Sequence, residues 1–355
     1  MGVRYIGSKA RVADSILDLA GDCTSGRFVD AFSGTGSVAA AAAARGWNVT
    51  VNDSLPSAVA MSVGAVVGID NVPFADVGGY SNAVTVLNDV PGRAGFIHAQ
   101  YSPASRETGE VERRYFTEAN AARLDAMRNH IRKWSAEGMI TWVEEQLLLS
   151  DLMQAGNSVA NISGTYGCFL KSWTPSALKE VQVTPRLLRT GATDLRAVVG
   201  DVFDLPTTDA DTVYYDPPYT KRQYSAYYHL LETLHAGDRP EIVGVTGLRP
   251  WQEKASDFCY KARALDSLTR LIMGTKARRI LLSYSTEGHV AKDHLVNALT
   301  EAGRVTVHEI KTIGRYRPNA RASASGNTVD EYVIEINPVD VNVTVSAEDR
   351  TVVYV

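Results

Sequence analysis

Short apolar runs and helix-period stretches alternate in two parts of this chain, and the alternation predicts most of its architecture. "RFVDAF" (27–32) reads as a short buried strand, and "SGTG" (33–36) as the turn after it. "SVAAAAAAR" is strongly helical, with Ser37 near its start and Gly46 where the helix stops. "NVTVND" is a second strand ending at Asp53, and "PSAVAMSVGAVV" is a helix behind it. Strand, helix, strand and helix in that order predict a parallel, doubly wound α/β sheet.

The alternation lapses from about 68 to 190. "FTEANAARLDAMRNHIRKW" and "MITWVEEQLLLSDLMQAGNSVAN" are helix candidates there, set among looser segments bearing Gly, Pro and Ser. It then resumes. "LRAVVGD" is a strand running up to Asp201, "DTVYYDPP" a strand running up to Asp216, "AYYHLLETLH" a helix and "ARRILLSYS" another strand. "HVAKDHLVNALTEAG" is an amphipathic helix, and "VTVHEIKTI" and "EYVIEI" predict a closing antiparallel pair. The expected organisation is one sheet domain in two parts, 1–67 and 191–355, interrupted by a mainly helical subdomain at 68–190.

Length and composition narrow the field little further. The chain has 355 residues, 45% apolar and 21% charged, enough to bury a sizeable core. No apolar run approaches a membrane span, so no membrane association is expected. "MGVRYIGSKARV" lacks the apolar core of a signal peptide, and Ile6 stands where a myristoylation signal needs Ser or Thr. Three scattered cysteines, Cys23, Cys168 and Cys259, form neither a disulfide framework nor a metal spacing. A cytoplasmic location is expected. The formal net charge of −4 gives no general pull toward nucleic acid, so any such surface must be local.

Chemistry enters with three acids, Asp53, Asp201 and Asp216, each at a predicted strand end. Ligands of open α/β sheets bind beyond the carboxyl ends of the strands. The turn "DAFSGTGSVA" opens on the same edge, and Gly34 and Gly36 let backbone approach a ligand closely. The stretch fits a G-x-G-x-x-A dinucleotide fingerprint, with Asp53 placed to bind a ribose; a tight turn packed on the sheet is the plainer alternative. In "DPPY" (216–219) the prolines must end the strand. Two adjacent prolines at a set position occur by chance only about once in four hundred.

Together these residues resemble the amino-directed, S-adenosylmethionine-dependent DNA methyltransferases, and most closely the adenine-specific, Dam-like branch (the D12, alpha-group family). "YIGSK" (5–9) resembles the family's N-terminal cofactor motif and "DAFSGTG" (30–36) its main cofactor loop. "ND" (52–53) resembles its ribose-binding segment, "GDVF" (200–203) its adenine-binding segment and "DPPY" its catalytic tetrapeptide. "QYSAYYHLLETL" and "ILLSYSTEG" are similar to the family as well.

The resemblance implies a class I methyltransferase, Rossmann-like catalytic domain whose 68–190 insertion is a target-recognition subdomain. It implies methylation of N6 of a flipped-out adenine in double-stranded DNA, with S-adenosyl-L-methionine as cofactor and no metal. Asp216 and the carbonyl of Pro217 would accept the two N6 hydrogens, Pro218 would stiffen the turn, and Tyr219 would stack on the base. Tyr5 and Lys9 would approach the methionine end of the cofactor. Asp30, Phe32, Gly34 and Gly36 belong to the loop around its methionine and ribose. Asp53 would take the ribose hydroxyls, with Asp201 and the Val202 N–H on the cofactor's adenine. Tyr219 as a core ring and Lys9 as a surface lysine are the alternatives.

For DNA, "GTYGCFLKSWTPSALKEVQVTPRLLR" (164–189) interleaves Tyr166, Phe169 and Trp173 with Lys171, Lys179, Arg186 and Arg189, against Glu180 alone. That mixture suits phosphate tracking or an ordinary solvated face. Lys221 and Arg222 follow the catalytic turn, and Arg315 and Arg317 lie on a polar segment without acids. These cations are the expected DNA contacts, while His229 reads as structural. N4-cytosine methylation is the first rival, followed by an NAD-dependent oxidoreductase and a DNA-binding module without catalysis. The oxidoreductase leaves "DPPY" and Asp201 unexplained. A monomer is expected, with any cognate restriction endonuclease acting separately.

Overall fold

The computed structural model describes residues 7–23, 26–310, 331–338 and 352–354. Their contacts form two compact units. One comprises 8–23, 26–54, 194–223, 255–310, 331–338 and 352–354; the other comprises 7, 55–193 and 224–254.

The first unit is built on an eight-stranded sheet in the order β3-β2-β1-β4-β5-β7-β6-β8. The strands are β1 (Phe28–Asp30), β2 (Val49–Asp53), β3 (Leu195–Val199), β4 (Thr212–Tyr215), β5 (Arg279–Ser285), β6 (Gly303–Ile310), β7 (Glu331–Pro338) and β8 (Val352–Tyr354). Pairing is parallel from β3 through β5. β7 runs antiparallel to both β5 and β6, the closing pair that the sequence predicts. All residues of β1 and β4 are buried, as are six of the seven in β5. Parallel strands covered on both faces read as continuous apolar runs for this reason.

A core of Val29, Val213, Leu268, Ile280, Leu282, Leu295, Val305 and Ile334, with others, fills this unit. Strand order reverses between β1 and β4: the chain goes out through β2 and β3 on one side and β5 on the other. That is the switch point where a crevice opens at the strands' carboxyl ends.

The second unit is helical. Thr117 and Thr141 cap the Glu118–Ala136 and Trp142–Ser158 helices by accepting main-chain N–H bonds, and Glu144 completes a capping box with Thr141. Asp125 accepts the N–H groups of Gly95, Ile97 and His98 at 2.8–3.0 Å, satisfying the start of the Phe96–Tyr101 helix. Tyr101, Tyr115, Tyr166 and His229 pack ring on ring, with centroids 5.8–6.3 Å apart. Burial lowers the His229 imidazole to about 4, so Nε2 of the neutral ring donates to the Tyr166 carbonyl at 3.1 Å.

This unit is wider than the expected 68–190. The Pro56–Val66 helix packs on Trp142–Ser158, and the segment 224–254 belongs to the same unit. The cause is visible in side chains that reach between distant segments. Glu232 accepts the Ser57 N–H at 2.8 Å, and Arg128 donates to the carbonyls of Leu234, His235 and Ala236.

Candidate active site

β1 ends on Asp30, which is 2% exposed. Its Oδ2 accepts the Ala39 N–H at 3.2 Å, within the first turn of the Ser37–Ala44 helix. Its Oδ1 has no hydrogen-bond partner among the described residues. Burial pushes this carboxyl up to about 8; the charges of Asp216 and Asp53 add to the rise, and the Ala39 N–H opposes it.

The turn after β1 needs its glycines. Gly34 has φ 51° and Gly36 φ 76°, a region that side chains with a Cβ rarely adopt. Hydrogen bonds tie this turn to the neighbouring strand ends. Ser33 N–H donates to the Asn52 carbonyl at 2.9 Å, and Gly34 N–H to Asp53 Oδ2 at 3.1 Å. The Gly200 N–H donates in turn to the Asp53 carbonyl at 3.1 Å. The ends of β1, β2 and β3 are thereby one connected edge.

On that edge the Asp201 carboxylate accepts the Phe203 N–H at 3.0 Å, and Val202 is buried. Phe32 meets Phe258 edge to face at 5.5 Å, Phe203 stacks on Phe258 at 5.9 Å, and the Arg270 guanidinium lies 4.2 Å from the Phe203 ring centre. Phe203 lies in the "GDVF" segment, but Phe258 and Arg270 were not singled out in the sequence. "SDFCY" around Phe258 carries no periodic signal, and only the fold brings it beside Phe32.

The 216–219 turn leaves β4 directly. Asp216 is mostly buried and Pro217 is buried; Pro218 and Tyr219 are half-buried. The Lys9 ammonium sits 3.0 Å from Asp216 Oδ1 and 3.9 Å from Glu331 Oε2. Lys9, expected on the cofactor side, is thus joined to the tetrapeptide acid. Burial alone disfavours this ammonium, but the charges of Asp216, Tyr219 and Glu331 outweigh it and hold Lys9 above the ordinary lysine value. Burial pushes Asp216 up, and the Lys9 charge pulls against it. Tyr219 packs edge to face on Tyr284 at 5.7 Å, lies 5.7 Å from Lys9 Nζ, and its carbonyl accepts the His289 N–H at 3.0 Å. Glu331 opens β7 and is a second residue the sequence did not reveal; only strand pairing sets it near Lys9.

The expected DNA contacts divide. Lys221 and Arg222 are exposed just past the turn, and Lys171 and Lys179 are exposed on the helical unit. Arg186 is engaged inside that unit, donating to Asp151 at 2.7 Å and to Ser150 at 3.0 Å. Arg189 donates to the Val66 carbonyl and to Thr193, and Tyr166 is a core ring. Tyr5, Arg315 and Arg317 lie outside the described residues.

A glycine turn and an acid-Pro-Pro-Tyr turn on adjacent strands of a Rossmann-like sheet mark a nucleotide-ligand enzyme of the class I methyltransferase type. Residues 5–298 match the family described as D12 class N6 adenine-specific DNA methyltransferase, and the chain belongs to that family. It is 30% identical over 350 residues to type II methyltransferase M.FokI of Planomicrobium okeanokoites, covering 94% of this chain and 52% of that protein. Over 334 residues it is 31% identical to modification methylase StsI of Streptococcus sanguinis, covering 92% and 50%. It is 30% identical to type II methyltransferase M.CviAII of Paramecium bursaria Chlorella virus 1, covering 93% and 97%. The chain spans about half the length of the first two relatives. Among the described residues no helix is long and apolar enough to cross a membrane.

Proposed function

We propose that this chain transfers a methyl group from S-adenosylmethionine to N6 of an adenine flipped out of duplex DNA. One observation carries the reading. Asp216 leaves β4 next to β1, whose glycine turn is hydrogen-bonded to Asp53, so acceptors for a base and for a nucleoside cofactor stand on neighbouring strand ends.

The residues present suit the cofactor. Asp53 is a carboxylate at the end of β2, beside the glycine turn, and Phe32 and Val202 offer apolar surface. The unpartnered Asp30 Oδ1 is a buried acceptor for an ammonium group. Bound there, S-adenosylmethionine supplies a methyl group already activated on a sulfonium.

The protein's task is then to make a weak nucleophile attack. The N6 lone pair of adenine is delocalised into its ring. The Asp216 carboxylate accepting one N6 hydrogen and the Pro217 carbonyl accepting the other draw that pair toward tetrahedral geometry. The two proline rings fix φ, so the carbonyl is aimed before the base arrives. One N6 proton leaves by way of Asp216. Tyr219 offers a ring face to the flipped base, offsetting a few kcal/mol of unstacking with about 1–3 kcal/mol of stacking.

The helical unit, carrying exposed Lys171 and Lys179, is the part we assign to target recognition, and Lys221 and Arg222 to the strand beside the flipped base. We infer a monomer in the cytoplasm of a bacterial, archaeal or phage-infected cell, with any cognate restriction endonuclease separate. Incubating the chain with methyl-tritiated S-adenosylmethionine and duplex DNA, then separating the nucleosides, tests the reading. Label in N6-methyladenine supports it. Label in N4-methylcytosine moves the target to cytosine, and unlabelled DNA removes the reading.

A further inference from the structure

Lys9 is 6% exposed and lies between two carboxylates, Asp216 at 3.0 Å and Glu331 at 3.9 Å. Glu331 is held there by the sheet, opposite Ser285 of β5 and Ile310 of β6. An ammonium withdrawn from water needs carboxylate partners. One of its two partners is required elsewhere, because the proposed chemistry needs Asp216 to accept an N6 hydrogen. A carboxylate oxygen gripped by an ammonium is a weaker acceptor than a free one.

We propose that Glu331 is a positioning residue that shares Lys9 with Asp216 and draws the ammonium away as the adenine amino group reaches Asp216. This role rests on the function proposed above. With Glu331 present, Lys9 keeps a charged partner throughout. Without it, Lys9 and Asp216 close into a neutral pair that the base must break. Among the described residues, the charged and titratable groups around the pair are few. Lys9 faces Asp216, Glu331 and Tyr219, while Asp30 and Tyr214 are also near enough to interact with Asp216.

The test is single-turnover methyl transfer at pH 7 and pH 9 by the full chain. It uses methyl-tritiated S-adenosylmethionine and plasmid DNA from a strain lacking adenine methylation. Glu331→Gln is expected to slow transfer about tenfold, with S-adenosylmethionine affinity by calorimetry and melting temperature unchanged. Glu331→Asp, which keeps the charge, should stay within a few-fold of the unmodified chain. In a Lys9→Met background the loss from Glu331→Gln should vanish or reverse, because no ammonium is left to share and Glu331 then only repels Asp216.

A Glu331→Gln rate equal to that of the unmodified chain overturns this role alone. So does an equal loss in both backgrounds, or a loss matched by weaker cofactor binding or a lower melting temperature. An unmodified chain that labels no DNA overturns the functional reading and this role together.

Discussion

The main-chain N–H of Gly34 donates to Oδ2 of Asp53 at 3.1 Å, so the turn after β1 and the end of β2 form one structure. The carboxylate that shapes the turn is also the proposed ribose acceptor. Asp53→Ala should weaken S-adenosylmethionine binding by about 1.5–3 kcal/mol, the worth of a hydrogen bond to a charged group. Calorimetry measures this, and an unchanged affinity would remove Asp53 from the cofactor site.

Lys9 is expected to set the pH range over which Asp216, the proposed N6 acceptor, can act. Burial raises the Asp216 carboxyl and the Lys9 charge opposes that rise. Lys9→Met leaves the burial unopposed, so Asp216 should ionise at higher pH. The acid limb of the rate profile is then expected to move upward, with activity recovering as pH increases. A limb that stays in place would mean that the ion pair does not govern the ionisation of Asp216.

Asp30 makes an opposite kind of prediction, about stability. Its folded-state value of about 8 lies above the ordinary carboxylate range, so the folded chain binds its proton more tightly than the unfolded chain does. The stability this contributes is complete at low pH and is lost as pH rises through 8. Asp30→Asn cannot ionise, so it should melt several degrees above the unmodified cofactor-free chain at pH 9 and with it near pH 4. Equal melting at both pH values would contradict the assignment.

The cations of the helical unit and those past the 216–219 turn should separate cleanly by experiment. Arg186→Met strands the buried Asp151 carboxylate, leaving it only the Tyr80 hydroxyl at 2.7 Å among the partners described for it. Breaking such a pair costs about 3–5 kcal/mol, read as a loss in chemical unfolding, with the salt dependence of DNA binding unaltered. Lys221→Ala with Arg222→Ala should do the reverse, lowering the salt slope by about 1 for each phosphate contact removed. A slope indifferent to that pair would take them off the DNA surface.

How much of this was legible in the sequence follows from which interactions are local. The strands ending near Asp53 and Asp216 were readable because buried parallel strands are unbroken apolar runs. The edge strand before Asp201 and the antiparallel pair 303–310 and 331–338 were readable from their β-branched residues, although exposed and half-buried positions interrupt their burial. The extent of the helical unit was not. The Pro56–Val66 helix carries the apolar character of any helix behind a strand, and its packing against Trp142–Ser158 is a long-range matter.

The same division holds at the site. "DPPY" and the glycine turn are contiguous and announce themselves. Phe258 and Glu331 are far from both in the chain, and nothing in their neighbours marks them. Arg186 and Arg189 looked like free cations because no local pattern distinguishes a surface arginine from one that ties a loop to a core.

Sequencing of modified bases in DNA from cells expressing the chain, beside DNA from cells expressing Asp216→Ala, bears most directly on the account. N6-methyladenine within one short recognition sequence in the first sample and none in the second, with purified Asp216→Ala binding S-adenosylmethionine within a few-fold of normal, is the predicted result. Methylation that survives loss of the Asp216 carboxylate, or that falls on cytosine, would contradict it.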